Sequence, residues 1–169
     1  MRKALTYIAV TCMTFCLLLT GCNAPKTAED SSQQDSADTQ PNNVTDDKEA
    51  QMTLHMTIDE TDVDVAWEEN QSVEALRALC QSGPLTITMS RYGGFEQVGP
   101  IGQRLPSSDS QITTQAGDIV LYAGDQIVVF YGSNSWAYTK LGHIADKSDQ
   151  ELTELLSNGD VTITITAEQ

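Results

Sequence analysis

The residues best suited to bind a ligand lie in one glycine-rich stretch, SRYGGFEQVGPIGQRLP, which runs from Ser90 to Pro106. This stretch combines an arginine, two aromatic residues and a glutamine within a few positions, and a second arginine follows. A guanidinium group donates hydrogen bonds to carboxylates and peptide carbonyls, and aromatic rings form the walls of apolar pockets. The candidate ligand-binding residues of this stretch are Arg91, Tyr92, Phe95, Gln97 and Arg104.

Each of these candidates also has an ordinary structural interpretation. Arg91 and Arg104 are either cations at the mouth of a groove or turn residues with solvated charges, because exposed arginines are common in such turns. Phe95 and Val98 fit strand residues that face a barrel better than they fit pocket walls. The paired glycines after Tyr92 predict a turn with positive φ. The segment is therefore predicted as strand, turn and strand, with Arg91 as the best single candidate for ligand contact.

A second aromatic pair, Trp136 and Tyr138, occurs in the segment SNSWAYTK. Their two-residue spacing places both side chains on the same face of a strand. They form either an aromatic patch at the rim of the fold, which would bind a ligand, or part of the core. The pattern favours the core by a small margin.

The chain shows no pattern for a metal site, a hydrolase or a nucleotide site. Its two histidines, His55 and His143, have no cysteine pair to help them, so neither a zinc spacing nor a calcium loop is present. GSNSW does not match the G-x-S-x-G nucleophile motif, and no glycine-rich phosphate loop opens a helix. We therefore predict no metal, no cofactor and no catalytic residue.

Residues 1–21 predict an export signal. Two basic residues precede an apolar run from Ala4 to Leu19, which is short for a transmembrane span. The run ends in LTGC, which resembles the lipobox of bacterial lipoproteins and implies that Cys22 carries lipid. A plain secretory signal is the alternative. The lipobox predicts a protein anchored to the cell membrane, on its extracytoplasmic side, through the lipid on Cys22.

Residues 22–50 predict a disordered acidic tether, since the segment is polar and has too little apolar surface to offset the entropy of ordering. Residues 51–169 then form a single folded domain. The net charge of −15 would repel a phosphate backbone, so nucleic acid is not expected as a partner. After removal of the signal, Cys80 is the only thiol besides Cys22, and its place on an apolar helix face indicates core packing.

The folded domain predicts about eight short strands and two helices. Apolar and polar residues alternate in MTLHMTI and in VDVAW, which predicts two strands that form a hairpin. GDIVLYAGDQIVVFYG predicts a tight hairpin at the centre of the sheet, apolar on both faces, with Val120, Val128 and Phe130 buried. One helix is predicted in NQSVEALRALCQSGP, with Asn70 or Ser72 as its cap, and another in SDQELTELLSNGD, where Ser148 and Glu151 match a capping box. This pattern favours a β-barrel or sandwich, and two isolated helices suit the open ends of a barrel.

Several of these segments together resemble the bacterial cyclophilin-like domain. Two segments are similar to that family. One is AGDIVLYAGDQIVVFYG, which is followed by YTKLGHI and by a capped helix before a final strand. The other is LTITMSRYGGFEQVGPIGQRLP. The resemblance extends from about Met52 to Thr166. It implies a mainly-β fold, a cyclophilin-like eight-stranded β-barrel capped by two helices.

The resemblance does not by itself assign an activity, because one fold can host many functions. True cyclophilins accelerate rotation about X–Pro bonds with an arginine near the prolyl nitrogen and an apolar, aromatic pocket for the proline ring. RYGGFEQ does not reproduce the spacing of their catalytic run, so no catalytic residue is transferred to this chain. We predict a membrane-anchored, extracytoplasmic binding module for a peptide, protein or small ligand. A peptidyl-prolyl isomerase acting on exported proteins is the alternative, and a structural module is the third possibility.

Overall fold

The computed structural model describes residues 52–169, which fold into ten strands and two helices. In chain order the elements are β1 (Thr53–Ile58), β2 (Thr61–Val63), β3 (Val65–Trp67), α1 (Gln71–Cys80), β4 (Leu85–Tyr92), β5 (Glu96–Pro100), β6 (Ser110–Thr113), β7 (Asp118–Tyr122), β8 (Gln126–Phe130), β9 (Ser135–Ile144), α2 (Asp149–Leu156) and β10 (Val161–Glu168). The predicted signal 1–21, tether 22–50 and lipid site Cys22 lie outside the described residues. Neither helix of this part of the chain is long and apolar enough to span a membrane.

The strands form one antiparallel sheet that curves into a nearly closed barrel. Their order is β2, β1, β10, β4, β5, β8, β7, β9, β3, with β6 paired to β9. The two ends of this order, β2 and β3, follow each other in the chain and are joined at Asp64. The sheet therefore returns to its starting point, and the predicted fold class, a mainly-β barrel with two helices, is confirmed.

The barrel has ten strands, where the sequence predicts about eight, because of two local features. The predicted strand VDVAW changes partner at Asp64, so that Val63 pairs with β1 and Val65 pairs with β9. The other feature is β6, which pairs with the first half of β9. Its sequence, SQIT, contains a single apolar residue and therefore has no alternating pattern to detect.

The larger apolar core lies inside the barrel and is closed by the two helices. Alternate residues of most strands contribute to it, and the helices add residues at helical spacing, namely Val73, Leu76, Cys80, Leu152 and Leu156. Cys80 is buried in this core, and burial raises the pKa of its thiol. A protonated, enclosed thiol packs as a small apolar side chain, in agreement with the core role predicted for it.

Both helices begin with the caps that the sequence predicts. The Asn70 side chain accepts hydrogen bonds from the backbone N–H groups of Ser72 and Val73, each at 3.0 Å. Ser148 and Glu151 form the predicted capping box at the start of α2. Each cap satisfies backbone donors that have no partner within the helix and contributes about 1 kcal/mol.

The hairpin of β7 and β8 is buried on both faces, as its sequence predicts. One face joins the barrel core, and the other carries Val120, Val128 and Phe130, which are 0%, 2% and 0% exposed. These three residues pack with Tyr138 of β9 in a second apolar cluster on the outer side of the barrel wall. We call these four residues the outer cluster, and the candidate site lies on it.

Candidate ligand-binding groove

An aromatic groove with a volume of about 340 Å³ lies over the outer cluster. Strands β4, β5, β7, β8 and β9 and the segment before β9 provide its walls. Its lining residues are Tyr92, Glu96, Val98, Tyr122, Gln126, Val128, Asn134, Trp136 and Tyr138. Its volume is within the range of small-molecule sites, which are mostly apolar with a few polar groups.

The register of the sheet explains why these side chains share one face. Residues directly opposite each other in an antiparallel pair point to the same side. Tyr92 of β4 lies opposite Glu96 of β5, and Glu96 lies opposite Phe130 of β8. Val98 in turn lies opposite Val128. The outward face of β5 therefore continues the outer cluster and forms the floor of the groove.

Three large aromatic side chains around the groove remain open to solvent. Tyr92 is 68% exposed, Tyr122 is 40% exposed and Trp136 is 55% exposed. Within residues 52–169 they are the only exposed large hydrophobic side chains, and all three line the groove. Scattered exposed aromatics need no explanation, but a contiguous patch marks an interaction site.

The floor of the groove is held by edge-to-face contacts between aromatic rings. The ring of Tyr138 lies 6.0 Å from that of Tyr122 and 5.7 Å from that of Phe130, at interplanar angles of 67° and 69°. The side-chain amide of Asn134 donates to the Tyr138 hydroxyl at 2.9 Å. Edge-to-face pairs are favoured by the charge distribution of the rings, so these contacts stabilise the floor of the groove.

Glu96 is the one carboxyl group in the groove. The residue is 6% exposed, and its Oε2 atom has no hydrogen-bond partner among the described residues. Burial raises the pKa of Glu96 to about 7. Burial also raises the pKa of the Tyr138 hydroxyl, and the charge of Glu96 raises it further. An unpaired carboxyl in an apolar setting is costly, and such groups occur preferentially at functional sites.

Three of the predicted ligand-binding residues meet in the groove: Tyr92, Trp136 and Tyr138. Tyr138 is 4% exposed and belongs to the outer cluster, as the core interpretation predicted. Trp136, for which the core was also favoured, is instead largely exposed. The two residues share a strand face, but Tyr138 is enclosed by the outer cluster and Trp136 lies beyond it.

Arg91 and Gln97 lie outside the groove, at the C-terminal end of α2. They face each other across the hairpin of β4 and β5. Arg91 Nη1 donates to the Ser157 carbonyl oxygen at 2.9 Å, and Gln97 Nε2 donates to the carbonyl oxygens of Leu156 and Gly159 at 2.6 and 2.7 Å. The last carbonyls of a helix have no partner within it and favour a nearby cation. The position of both residues is therefore accounted for by helix capping.

The remaining two candidates also lie away from the lining of the groove. Arg104 is paired with Asp125 at 3.5 Å, and both side chains are exposed. Phe95, which was expected to be a strand residue facing the barrel, lies in the turn before β5 and packs against the outer cluster, with its ring parallel to that of Phe130 at 6.4 Å. Val98, which was expected to face the barrel, lines the groove, because alternation places it on the same face as Glu96.

Several lining residues, above all Glu96 and Tyr122, are not among the candidates predicted from the sequence. The sequence does contain a signal for Glu96. In FEQV it is two positions from Val98, so both side chains project from the same face of the strand, and this places an acid on an apolar face. Tyr122 closes the β7 strand and lies opposite Gln126 of β8. Its contribution depends on how β7 and β9 pack, and the local sequence contains no signal for that.

Two other polar regions are explained without a ligand. A cavity of about 610 Å³ beside α1 has no aromatic lining, and its Ser72 and Asn70 side chains already donate to the carbonyl oxygens of Pro106 and Lys140. Asp118 is buried, but it accepts from the backbone N–H of Gln115 at 3.0 Å and contacts a lysine and a histidine. Residues 52–169 contain no group of three or more potential metal ligands.

A family model identifies the family to which this chain belongs. No curated protein matches the chain. The solution structure of a hypothetical protein from Archaeoglobus fulgidus is similar, with 18% sequence identity and a TM-score of 0.47, over 69% of this chain and 94% of that one. The model of the cyclophilin-like family matches residues 56–166, which is more than half of the chain. On this match, the chain belongs to the cyclophilin-like family.

Proposed function

We propose that this protein is a binding module whose aromatic groove takes a peptide, a protein side chain or a small organic ligand. The observation that carries the proposal is the convergence of Tyr92, Tyr122 and Trp136 around one groove. A monomeric domain gains no stability from leaving these rings in water, whereas a ligand that covers them gains the hydrophobic free energy of their burial. The polar groups between the rings would orient that ligand.

The composition of the groove favours binding over prolyl isomerisation. Cyclophilins use an arginine beside the prolyl nitrogen, but no basic side chain lines this groove within the described residues. Arg91 instead donates to the Ser157 carbonyl oxygen. Isomerase activity is the second candidate. An apolar, aromatic groove is suited to a proline ring, and true cyclophilins catalyse rotation about X–Pro bonds.

A proline-containing tetrapeptide tests both candidates. We expect it to change the fluorescence of Trp136 in the purified full chain, held in a nonionic detergent, without accelerating its own cis–trans isomerisation. The binding is expected because proline covers exposed aromatic surface, and the lack of catalysis because no guanidinium lines the groove. Trp136→Phe is the control, since a response that survives in this variant comes from another part of the chain.

Clear catalysis that is lost in Arg91→Ala would contradict the binding proposal and make the isomerase the leading candidate. Tyr92→Ala should weaken peptide binding, while Thr88→Ala, which alters an exposed residue of the same strand, should not. Two further probes are choline, which has a quaternary ammonium group, and an uncharged analogue of choline. If Trp136 fluorescence responds to none of the three probes, the groove is not a binding site.

We propose further that the module is anchored to the extracytoplasmic side of the cell membrane by lipid on Cys22. The support is the order of basic residues, apolar run and LTGC box in the sequence. Stable anchoring takes more than one acyl chain, and a diacylated cysteine would supply two. The polar segment 22–50 would then act as a spacer between the lipid and the folded domain.

Replacing Cys22 with alanine should release the protein from the membrane fraction, because the variant lacks the acylated thiol. The measurement is the distribution of the chain between pelleted membranes and supernatant after cell lysis. Cys80→Ala is the matched control and should remain in the membrane fraction. Membrane retention of Cys22→Ala at the level of the parent would contradict the lipoprotein proposal.

A further inference from the structure

The carboxyl group of Glu96 lies in the wall of the groove, and the protein does not fully satisfy it. It lines the groove between Tyr92 on one neighbouring strand and Phe130 on the other. The residue is 6% exposed, and Oε2 has no hydrogen-bond partner among residues 52–169. A structural carboxyl would be paired or hydrogen-bonded, because leaving it unpaired in an apolar setting costs several kcal/mol.

The groove contains no cation that compensates for this carboxylate. Its other lining residues are aromatic, aliphatic or amide side chains, and none is basic. The other titratable groups that line the groove are the hydroxyls of Tyr92 on β4, Tyr122 on β7 and Tyr138 on β9. Glu96 is therefore the one carboxylic acid, and the one Asp, Glu, Lys, Arg or His side chain, among the lining residues.

Aromatic rings surround this single negative group. The faces of tyrosine and tryptophan rings attract cations, most strongly when the cation is partly removed from water. Organic ammonium groups are the usual ligands of such arrangements, because their methyl or methylene groups also bury apolar surface. The chain as a whole has a net charge of −15, which would attract a cation from a distance.

We propose that the ligand of the aromatic groove contains an organic ammonium group, which sits among Tyr92, Tyr122 and Trp136 and pairs with the carboxylate of Glu96. This inference rests on the proposed binding function and adds the chemical class of the ligand. The rings provide the apolar and cation–π contacts, and Glu96 provides the opposite charge. A lysine or methylated lysine side chain and a free quaternary amine present the same chemistry.

Choline and its uncharged analogue, in which carbon replaces the quaternary nitrogen, test the inference directly. The two probes have the same shape and differ only in charge. With the full chain in nonionic detergent at about pH 8, choline should bind about tenfold more tightly, measured by Trp136 fluorescence. Its affinity should fall about tenfold on going to about pH 6, since Glu96 takes up a proton over this range while choline stays charged.

Substitution of Glu96 separates its role from that of the acidic surface. Glu96→Gln should lose about tenfold in choline affinity at about pH 8, keep its affinity for the uncharged analogue within about twofold, and show no pH dependence. Glu60→Gln removes the same charge from an exposed turn outside the groove and should leave choline binding unchanged. An equal loss in both variants would overturn the assignment to Glu96.

The outcomes distinguish this inference from the function on which it rests. If the uncharged analogue binds as tightly as choline, the groove is a binding site but not one for cations, and the ammonium inference is wrong. If choline binds and Glu96→Gln binds it equally well, the inference is also wrong. If no probe changes Trp136 fluorescence, the binding proposal falls, and this inference falls with it.

Discussion

Replacing Phe130 with alanine should lower the free energy of unfolding by about 3–5 kcal/mol. Phe130 is fully buried and belongs to the outer cluster. Its ring contacts Tyr138 edge to face and lies parallel to the ring of Phe95. Truncation removes these contacts and leaves a cavity beneath the groove. The loss is a large share of the roughly 5–15 kcal/mol that keeps a domain folded.

Chemical denaturation of the full chain, followed by tryptophan fluorescence, measures this effect. Tyr92→Ala is the matched control, because it also removes an aromatic ring, but one that is 68% exposed. It should change the free energy of unfolding by less than about 1 kcal/mol. A Phe130→Ala variant as stable as Tyr92→Ala would place Phe130 on the surface and contradict the order of the central strands.

Replacing Glu96 with glutamine should stabilise the protein at alkaline pH and have little effect at acidic pH. The pKa of Glu96 rises from 4.5 in the unfolded chain to about 7 in the folded one, because the folded state buries the carboxyl. The folded state therefore binds the proton more tightly. The stability that this proton provides is complete below about pH 4.5 and is lost as the pH rises through about 7.

Glutamine has nearly the same shape and no charge to bury, so it does not suffer this loss. Each unit of pKa difference corresponds to about 1.4 kcal/mol, and we expect the variant to be more stable than the parent by about 3 kcal/mol at about pH 8. Urea unfolding of both proteins between about pH 4 and 8 measures the difference. Glu60→Gln, at an exposed position, should follow the parent at every pH. A Glu96→Gln variant no more stable than the parent at alkaline pH would show that the carboxylate is satisfied in the folded state.

The two results would connect the stability of the groove to its proposed use. The free protein holds an unpaired carboxyl beneath exposed rings, which is unfavourable for folding alone. A bound ammonium group would pair the carboxylate and cover Tyr122 and Trp136, so it would relieve both costs at once. Binding sites often retain such unfavourable groups because the gain appears only with the ligand.

Much of the fold is encoded in local patterns that can be read without the tertiary structure. Alternation in MTLHMTI and the apolar runs of GDIVLYAGDQIVVFYG predict their strands because side chains of a strand alternate between two faces. The capping residues Asn70 and Ser148 mark the helix starts because the caps act within a few residues. The export signal and Cys22 are likewise predictions from the sequence alone.

The candidate site depended on contacts between distant segments. Within RYGGFEQ, strand parity sends Tyr92 and Glu96 to the groove and Arg91 and Gln97 to the end of α2. The sequence shows the residues together, but only the packing of α2 beside β5 determines that the arginine caps a helix.

The tertiary structure alone also decided which aromatic residues remain exposed. Trp136 and Tyr138 have the same parity, yet Tyr138 is covered by the outer cluster and Trp136 is not. Strand β6, with no local signal, extends the sheet along this part of β9. The sequence determines short-range periodicity and capping, and these decide whether a segment forms a strand or a helix. The groove forms where β4, β5, β7, β8 and β9 meet, and its composition follows from long-range pairing and burial, which no local pattern specifies.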